Sequence, residues 1–271
     1  MKKILFKVFI KLIYLAPPNL ACMLNNIRQK IMNRDIKFYF DNEKKLYKVV
    51  ENNFTMFFYD KMRGMNTYSY GIINRARSLA KTYFIDKIEF KKRDYVIDCG
   101  ANYGDIFNFF DRDLEINYVS FEPSPKEFNC LKMNCPNQKN NEYALDNVVG
   151  KKTFFLKTDT GDSSLIEPAG GFNEKIKIST ITLDEYIAKN NIKEIKLLKI
   201  EAEGNEPEVL QGSKNSLKLI KFIAIDGGPE RGLKKETTIE FAKDYLVKSN
   251  FEMIHFNSSK NEVKGLFKNI S

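Results

Sequence analysis

Short apolar runs alternate with helix-like stretches from residue 95 onward. An uninterrupted apolar run predicts a strand buried on both faces of a parallel sheet, whereas apolar residues three and four apart predict a helix. An uninterrupted run lies at residues 95–97, and mostly apolar strand-like segments with two polar residues each lie at 117–121, 195–200 and 221–226. Residues 251–256 and 263–267 alternate in polarity instead, as an antiparallel hairpin does. The pattern predicts an α/β protein whose sheet ends in a reversed hairpin.

The remaining segments give less regular patterns. Further strands are predicted at residues 54–59, 142–146, 149–156 and 175–180, the last two as an inserted antiparallel pair. Helices are predicted at residues 74–84, 124–134, 182–188 and 235–248. We expect residues 35–90 to be mainly helical and to form, with residues 1–34, an extension in front of the α/β core.

The step from the first buried run into the next helix-like stretch contains the chain's main candidate binding loop. Asp98 follows the apolar run and is followed by Gly100 and Gly104, so the pattern predicts a strand, a tight glycine turn and a helix, as in a nucleotide-binding βαβ unit. Glu122 stands at the end of the next strand, where an acid accepts hydrogen bonds from ribose hydroxyls. Asp98 is placed for a ligand ammonium. A ribose and an ammonium on one ligand indicate S-adenosylmethionine, although glycines that only pack a helix on a strand would give a similar pattern.

A second group of acids follows the run at residues 195–200. Glu201 and Glu203 would lie at the carboxyl end of a central strand, where open α/β sheets bind ligands. Crowding of these carboxylates predicts that at least one pKa is raised, which suits a general base for a hydroxyl group. Holding a cation and hydrogen-bonding the substrate are alternative roles. We predict Glu203 and Glu201 as the catalytic acids.

Four motifs in this order resemble the FkbM family of S-adenosylmethionine-dependent methyltransferases: Asp98-Cys-Gly-Ala-Asn102, Phe121-Glu-Pro-Ser-Pro125, Leu183-Asp184 and Leu198-Lys-Ile-Glu-Ala-Glu-Gly204. The resemblance covers about residues 80–256. It implies a class I methyltransferase fold, a seven-stranded, mostly parallel sheet with helices on both faces, and methylation of a hydroxyl on a sugar or polyketide. The family usually has Asp where this chain has Glu201, which leaves the reach of that side chain open.

The resemblance also implies further cofactor contacts. Asn102 and Pro123 belong to its first two motifs, Ala144 and Asp146 are candidates for the adenine side, and Ser164 resembles a serine that the family keeps near the cofactor. For Asp146 the alternative is a turn residue, and for Ser164 a surface loop.

Composition adds constraints on metals, location and partners. The four cysteines form no C-x-x-C pair and there is one histidine, so we predict reduced thiols, a cytoplasmic protein and no metal site. Residues 1–34 carry seven Lys and Arg and no acid, which leaves about +2 of the net charge of +9 for the rest of the chain. Residues 1–16 predict a basic amphipathic helix before Pro17, with two open interpretations: contact with the protein itself or a homodimer mate, or with an anionic inner-membrane surface.

Three functions remain open on the sequence alone. The first is an O-methyltransferase acting on a sugar, a glycolipid or polysaccharide precursor or a similar small molecule. The second is a nucleic-acid methyltransferase, which the near-neutral catalytic region disfavours; we predict no nucleic-acid partner. The third is a cofactor-binding module without catalysis. We divide the chain into an N-terminal part, residues 1–80, and a methyltransferase domain, residues 81–271.

Overall fold

A computed structural model describes residues 10–157, 161–259 and 262–271. Helices α1 to α7 span Pro18–Ile31, Lys61–Thr67, Ile72–Thr82, Pro125–Asn134, Leu183–Asn190, Glu206–Gln211 and Ile239–Val247. Strands β1 to β13 span Lys37–Asp41, Leu46–Glu51, Phe54–Phe58, Tyr95–Cys99, Asn117–Phe121, Lys139–Asn141, Ala144–Leu145, Gly150–Leu156, Glu174–Ile181, Ile195–Ile200, Ile220–Asp226, Phe251–Ser258 and Val263–Asn269. Short 3-10 helices span Tyr68–Tyr70, Ile85–Lys87, Asp105–Phe109, Arg112–Leu114 and Leu217–Leu219.

Seven strands form the central sheet in the order β12-β13-β11-β10-β4-β5-β6. Strands β4, β5, β6, β10 and β11 run parallel, and β13 is antiparallel to both of its neighbours. This is the strand order of the class I methyltransferase fold, so the predicted fold class is confirmed. The chain leaves β4 toward one edge and returns through β10 toward the other, and the reversal between them is where open α/β sheets bind ligands.

The mostly apolar sequences of these strands are explained by two cores, one on each face of this sheet. Successive residues of a strand point to opposite faces. Val96 therefore packs in the core beneath α3 and α4, while Ile97 packs in the core beneath α5 and α7. Leu197 and Leu198 divide between the same two cores. The predictions of β4, β5, β10, β11 and the hairpin of β12 and β13 are confirmed.

The segment after the glycine loop differs from its prediction. The sequence predicts a helix through Ile106 and Phe110, but the structure has a 3-10 helix at Asp105–Phe109 that ends in extended backbone. Its first flanking residue, Gly104, is left-handed and provides no side-chain cap. Aromatic residues have modest helix propensity, and five residues are too few to sustain an α-helix. Ile106 and Phe110 are buried and Phe107 and Phe109 half-buried in the same core. Their spacing therefore reflects contacts with the rest of the protein and not a continuous helix.

The strand predicted at residues 142–146 was expected to be the third strand of the main sheet, but it is present only as the short β7 of another sheet. Strand β6, at Lys139–Asn141, is the third parallel strand of the main sheet, whereas β7, at Ala144–Leu145, lies in a separate sheet with the order β7-β9-β8. The inserted antiparallel pair, β8 and β9, is confirmed. The polar sequence of β6 hides it from a search for apolar runs, because β6 is a three-residue edge strand.

The N-terminal part contains more strand than predicted. Residues 35–90 were expected to be mainly helical, but β1, β2 and β3 form an antiparallel sheet, and helices begin only at α2. The alternating burial of Phe38, Tyr47 and Val49 shows why, since aromatic and β-branched residues two apart favour a half-buried strand. Lys45 and Asn52 adopt left-handed backbone in the two turns. The strand at Phe54–Phe58 and helix α3 confirm the two elements predicted individually in this region.

The predicted amphipathic helix at residues 1–16 lies partly outside the described residues, which begin at residue 10. Residues 10–15 are helical, with Ile13 buried and Leu15 exposed. None of the helices in the described part of the chain has the length and apolar composition needed to cross a bilayer. All four cysteines are free, in agreement with the predicted thiols, and all four are buried.

Candidate active site

A cavity of about 290 Å³ lies at the carboxyl ends of β4, β5 and β10. Eight of the eleven predicted site residues line it: Asp98, Gly100, Asn102, Glu122, Pro123, Ala144, Glu201 and Glu203. These residues come from segments more than 100 positions apart, and the strand order brings them together. The remaining three, Gly104, Asp146 and Ser164, lie behind the cavity wall.

The glycine loop crosses the sheet very close to the end of β10. A Cβ atom on Gly100 would lie 1.9 Å from the backbone oxygen of Glu201, and Gly100 has a φ of +74°, so no other residue fits without moving the backbone. The amides of Gly100 and Ala101 both donate to the carbonyl of Phe121, at 3.0 and 3.1 Å. The loop is thereby fixed against both neighbouring strands, and it forms the floor of the cavity.

Glu122 closes this loop from the second strand. One carboxylate oxygen accepts the amide of Asn102 at 2.8 Å and the other accepts the amide of Ser124 at 2.9 Å. Burial, followed by the nearby charge of Glu127, raises the pKa of Glu122 to about 8. In the ionised form each carboxylate oxygen can accept a second hydrogen bond, so ionised Glu122 can accept two donors from a ligand that offers adjacent hydroxyls.

Asp98 is held by two partners that the sequence analysis did not identify. Its oxygens accept the Lys199 ammonium at 2.8 Å and the Tyr118 hydroxyl at 2.5 Å. Lys199 also contacts a carboxylate oxygen of Glu201 at 3.0 Å. With two carboxylates and one ammonium the cluster keeps a net charge of about −1, so it still favours a ligand cation. The available signal was a lysine inside the apolar run IKLLKI, because a buried lysine requires a partner.

The two predicted catalytic acids are placed in different electrostatic environments. Burial alone would raise the pKa of Glu201, but Lys199 overcomes this effect and holds the pKa below its usual value. Glu203 forms no ion pair with any residue that the structure describes: desolvation first, and then the charges of Glu201 and Asp162, raise its pKa well above the usual range. The expected raised pKa in this group is therefore present, and it belongs to Glu203.

The loop that carries these acids is shaped from behind by Glu206. One Glu206 oxygen accepts the amides of Ala202 and Gly204 at 2.9 and 3.1 Å, and the other accepts the Thr238 hydroxyl at 2.9 Å. Burial raises the pKa of Glu206 to about 7. Glu203, within this loop, has a left-handed φ of 50°. Glu206 thus fixes an unusual backbone turn that aims Glu203 at the cavity.

Ser164 supports the same turn from the inserted loop. Its hydroxyl donates to the backbone carbonyl of Glu203 at 2.7 Å and accepts the amide of Ile166 at 3.0 Å. The neighbouring residues Ser163 and Leu165 face the cavity instead. Ser164 therefore lies beside the site and holds the backbone that carries a candidate acid.

Gly104 and Asp146 also contact the protein instead of the cavity. A Cβ on Gly104 would lie 2.7 Å from the sulfur of Cys135, which favours a packing role. The fully buried Asp146 carboxylate pairs with Lys152, and Asn205 lies 3.5 Å from it. Ala144 and Leu145, just before Asp146, supply the cavity wall.

The roof of the cavity comes from α2, α3 and the inserted loop. Arg63, Thr67, Arg75 and Leu79 line it from the helices. Arg63 lies 3.5 Å from Glu127, and a Cβ on Gly161 would lie 2.2 Å from the Arg63 guanidinium carbon, so loop and helix are in close contact. Arg75 lies 3.5 Å from Asp105. Sequence analysis missed both arginines, because nothing in an amphipathic helix indicates which of its polar residues faces a ligand.

Among the described residues, no group of three or more His, Cys, Asp and Glu side chains is arranged to hold a metal ion.

Comparison with known proteins gives one family. The model of the methyltransferase FkbM domain matches residues 98–254, more than half of the chain. The matched part begins at Asp98 and contains the glycine loop, Glu122 and both candidate catalytic acids. It therefore covers the floor of the cavity but not the arginines of its roof.

Individual relatives are distant. The hexuronic acid methyltransferase AglP of Haloferax volcanii is 27% identical over 147 residues, which are 51% of this chain and 57% of AglP. The chain therefore matches little more than half the length of this curated relative. A solved fibrillarin pre-rRNA processing protein of Methanococcus jannaschii is 15% identical with a TM-score of 0.45, covering 87% of this chain and 98% of that one. A precorrin-6y C5,15-methyltransferase of Geobacter metallireducens is 12% identical with a TM-score of 0.42, covering 71% and 87%.

Proposed function

This chain belongs to the FkbM methyltransferase family, and we propose that it transfers the methyl group of S-adenosylmethionine to a hydroxyl of a sugar or glycan precursor. One observation carries the proposal. A single cavity brings together a glycine loop, an acid with free acceptor capacity for two hydroxyls, and a half-buried acid of raised pKa.

The residues on the cofactor side match the groups that S-adenosylmethionine offers. Glu122 has acceptor capacity for the two ribose hydroxyls, while Asp98, inside a cluster of about −1 net charge, suits the ammonium. Gly100 lets the backbone come close because it has no Cβ. When bound, S-adenosylmethionine supplies a methyl group on a sulfonium, which is electrophilic without help from a metal or a covalent enzyme intermediate.

On the acceptor side, the hydroxyl oxygen must be aligned with the methyl carbon and must lose its proton. We assign the proton transfer to Glu203: its carboxylate takes the proton of the acceptor hydroxyl as the oxygen forms its bond to the methyl carbon and the bond from that carbon to sulfur breaks, which leaves the sulfur neutral. Glu201, kept ionised by Lys199, would hydrogen-bond a neighbouring hydroxyl and orient the acceptor. The roof formed by α2, α3 and the loop at residues 161–165 limits access of water.

A sugar is the acceptor class that the comparisons favour. The relative AglP is described as a hexuronic acid methyltransferase, and a polyhydroxylated acceptor suits a cavity with several carboxylates, since these accept hydrogen bonds from hydroxyls. The labelling experiment determines which sugar accepts the methyl group.

The test uses methyl-labelled S-adenosylmethionine, the full chain, and fractionated extract of the source cell. We expect label in the sugar-nucleotide, glycolipid or polysaccharide fraction. Nuclease-sensitive label would overturn the proposal in favour of nucleic-acid methylation. The absence of label from every fraction, with cofactor binding retained, would overturn it in favour of a binding module.

Cofactor binding is tested separately through Glu122. Substitution Glu122→Ala removes the ribose acceptors, so we expect calorimetry to show at least a tenfold loss of S-adenosylhomocysteine affinity, since lost hydrogen bonds to a charged group are each worth about 1.5–3 kcal/mol. The exposed Glu194 provides a matched control, because Glu194→Gln changes an acid far from the cavity. Equal affinities for the two variants would show that the pocket is wrongly assigned.

A further inference from the structure

Helix α1 partly reverses the polarity of an ordinary surface helix. The face turned toward the protein contains the polar residues Asn25, Arg28 and Gln29 beside Ala21 and Cys22, all buried. The face turned outward carries apolar residues at helical spacing, with Leu20, Met23, Ile27 and Ile31 between 41% and 61% exposed. At about 100° per residue these four side chains form one stripe along the helix. A helix in water normally places its apolar stripe on the core.

The reversal has a cost in water on both faces. The amide atoms of Asn25 and Gln29 are buried and have no hydrogen-bond partner among the described residues. Such groups are rare in native proteins because their desolvation is uncompensated. A neighbour on the outward face does not change those amides, but it removes the apolar stripe from water and thereby stabilises this orientation. The helix therefore indicates a non-aqueous neighbour.

Exposed apolar side chains concentrate in this part of the molecule. Of the eighteen large hydrophobic residues that are exposed in the described chain, eight lie between residues 12 and 32: Leu12, Tyr14, Leu15, Leu20, Met23, Ile27, Ile31 and Met32. A groove of about 450 Å³ runs beside the stripe between α1 and β1, lined partly by Met23, Ile27, Phe38, Tyr39 and Phe40. Contiguous apolar surface of this kind marks an interaction site.

Charge distinguishes among the neighbours that could cover this surface. The chain has seven Lys and Arg and no acid before Asp35. Lys11 and Lys30 are exposed, and Lys30 lies on the rim of the groove. In a symmetric dimer the same basic segment would face its own copy and be repelled. An anionic lipid surface offers both an apolar layer and the opposite charge.

We propose that α1, the helical residues 10–15 and the adjoining groove form a membrane-docking surface for an anionic lipid bilayer. The apolar stripe lies at the boundary of headgroups and acyl chains, and Lys11 and Lys30 lie at the level of the lipid phosphates. The three lysines among residues 1–9 add to this charge. The proposal is independent of the methyl acceptor, and it extends the membrane contact expected for residues 1–16 along α1.

The experiment is flotation of the full chain with lipid vesicles at low salt. We expect binding to vesicles in which about one lipid in three is phosphatidylglycerol, weak binding to pure phosphatidylcholine, and release on adding salt. The triple variant Leu20→Ser/Met23→Ser/Ile27→Ser should bind at least about tenfold more weakly. The matched control Leu233→Ser/Phe241→Ser/Val247→Ser changes exposed apolar residues elsewhere and should bind as the unsubstituted chain does.

A single charge change tests the surface without altering the apolar stripe. Lys30→Gln should weaken binding to the anionic vesicles about fivefold, since each lysine near such a surface contributes on the order of 1 kcal/mol. Binding of the triple variant equal to that of its control would overturn the proposal. So would light scattering that shows a dimer dissociated by the triple substitution in a chain that never floats with vesicles, because the covering partner would then be a second copy.

Discussion

At the scale of single residues, the environments of Glu201 and Glu203 separate two carboxylates that look equivalent in the sequence. Lys199 keeps Glu201 ionised, whereas Glu203 is half-buried near other acids and has a raised pKa. A general base works best when its pKa lies near the operating pH. The structure therefore favours Glu203 for proton removal and Glu201 for orientation, a distinction that spacing alone could not make.

This assignment predicts a pH dependence for the methyl transfer. Glu203 acts as a base only when deprotonated, so the rate should fall as pH drops below its raised pKa. Glu203→Gln should lower kcat about 10²–10⁴-fold and remove that limb of the pH–rate profile, with S-adenosylhomocysteine affinity nearly unchanged. The measurement is kcat against pH for both chains. A variant that retained both the rate and the limb would assign the base elsewhere.

Lys199 gives the second prediction at this scale. Lys199→Met would leave Asp98, which is 1% exposed, without its countercharge beside Glu201. Removing one partner of a buried ion pair costs about 3–5 kcal/mol, and we expect that loss in the free energy of unfolding measured with urea. Lys196→Met is the matched control, because Lys196 is on the same strand but only half-buried. Equal losses for the two variants would contradict the role given to Lys199.

At the scale of elements, the pattern of apolar residues was sufficient to predict a strand wherever the strand is buried on both faces of the sheet. Strands β4, β5, β10 and β11 are buried on both faces, and their sequences are mostly apolar. An α-helix was wrongly predicted where the structure has the 3-10 helix Asp105–Phe109, because the spacing of the aromatic residues there reflects packing and not a continuing helix. Strand β6 gave no signal, since an edge strand of three residues buries little.

The site was predictable to the extent that its residues follow strands. Asp98, Glu122 and Glu201 each lie at a strand's carboxyl end, so strand order alone brings them together. Arg63 and Arg75 were missed because they come from the N-terminal helices, whose position over the sheet depends on packing across the whole chain. Ser164 was found by resemblance, but its side chain holds the Glu203 backbone instead of facing the cavity.

The turn between β10 and α6 gives a prediction about stability. Glu206, which is fully buried, has a pKa raised to about 7 in the folded protein, above the usual value of 4.5. The folded state therefore binds more protons than the unfolded state between these values, and stability falls as pH rises from about 4.5 through about 7. The slope due to this group approaches about 1.4 kcal/mol per pH unit.

Glu206→Gln should remove this part of the pH dependence. The amide oxygen of Gln can still accept the amides of Ala202 and Gly204, so we expect the variant to lie within about 1 kcal/mol of the unsubstituted protein at pH 5. As pH increases to 8, the free energy of unfolding of the variant should rise relative to that of the unsubstituted protein. Urea unfolding at several pH values measures this difference. The control Glu240→Gln, at an exposed acid of α7, should follow the unsubstituted protein.

At the scale of the whole molecule, the N-terminal layer and the methyltransferase core are joined by a shared interior. Tyr103 and Cys130, from the core, pack in the same cluster as Phe38 and Met56 of the N-terminal sheet. The layer also supplies the roof of the cavity through α2 and α3. The division at residue 80 stays a prediction about domains, and the shared cluster argues that the two parts unfold together.

The Tyr68–Asp105 contact tests this cooperation. The buried Tyr68 hydroxyl donates to Asp105 at 2.6 Å, linking the N-terminal layer to the segment after the glycine loop. Tyr68→Phe leaves one Asp105 oxygen without this donor, so we expect a loss of about 1–3 kcal/mol in the free energy of unfolding. Tyr70→Phe is the control, since Tyr70 is 63% exposed. In a double-mutant cycle, Tyr68→Phe and Asp105→Asn should be clearly non-additive.

Hydrogen exchange then shows whether that loss is local or global. If the layer and the core unfold as one unit, Tyr68→Phe lowers the opening free energy of the most protected amides in β1–β3 and in β4–β5 by the same amount. Independent domains would instead show the loss in β1–β3 alone, with β4 and β5 unchanged. The first result is expected, because the residues that form the roof of the cavity are stabilised by the same core that supports its floor.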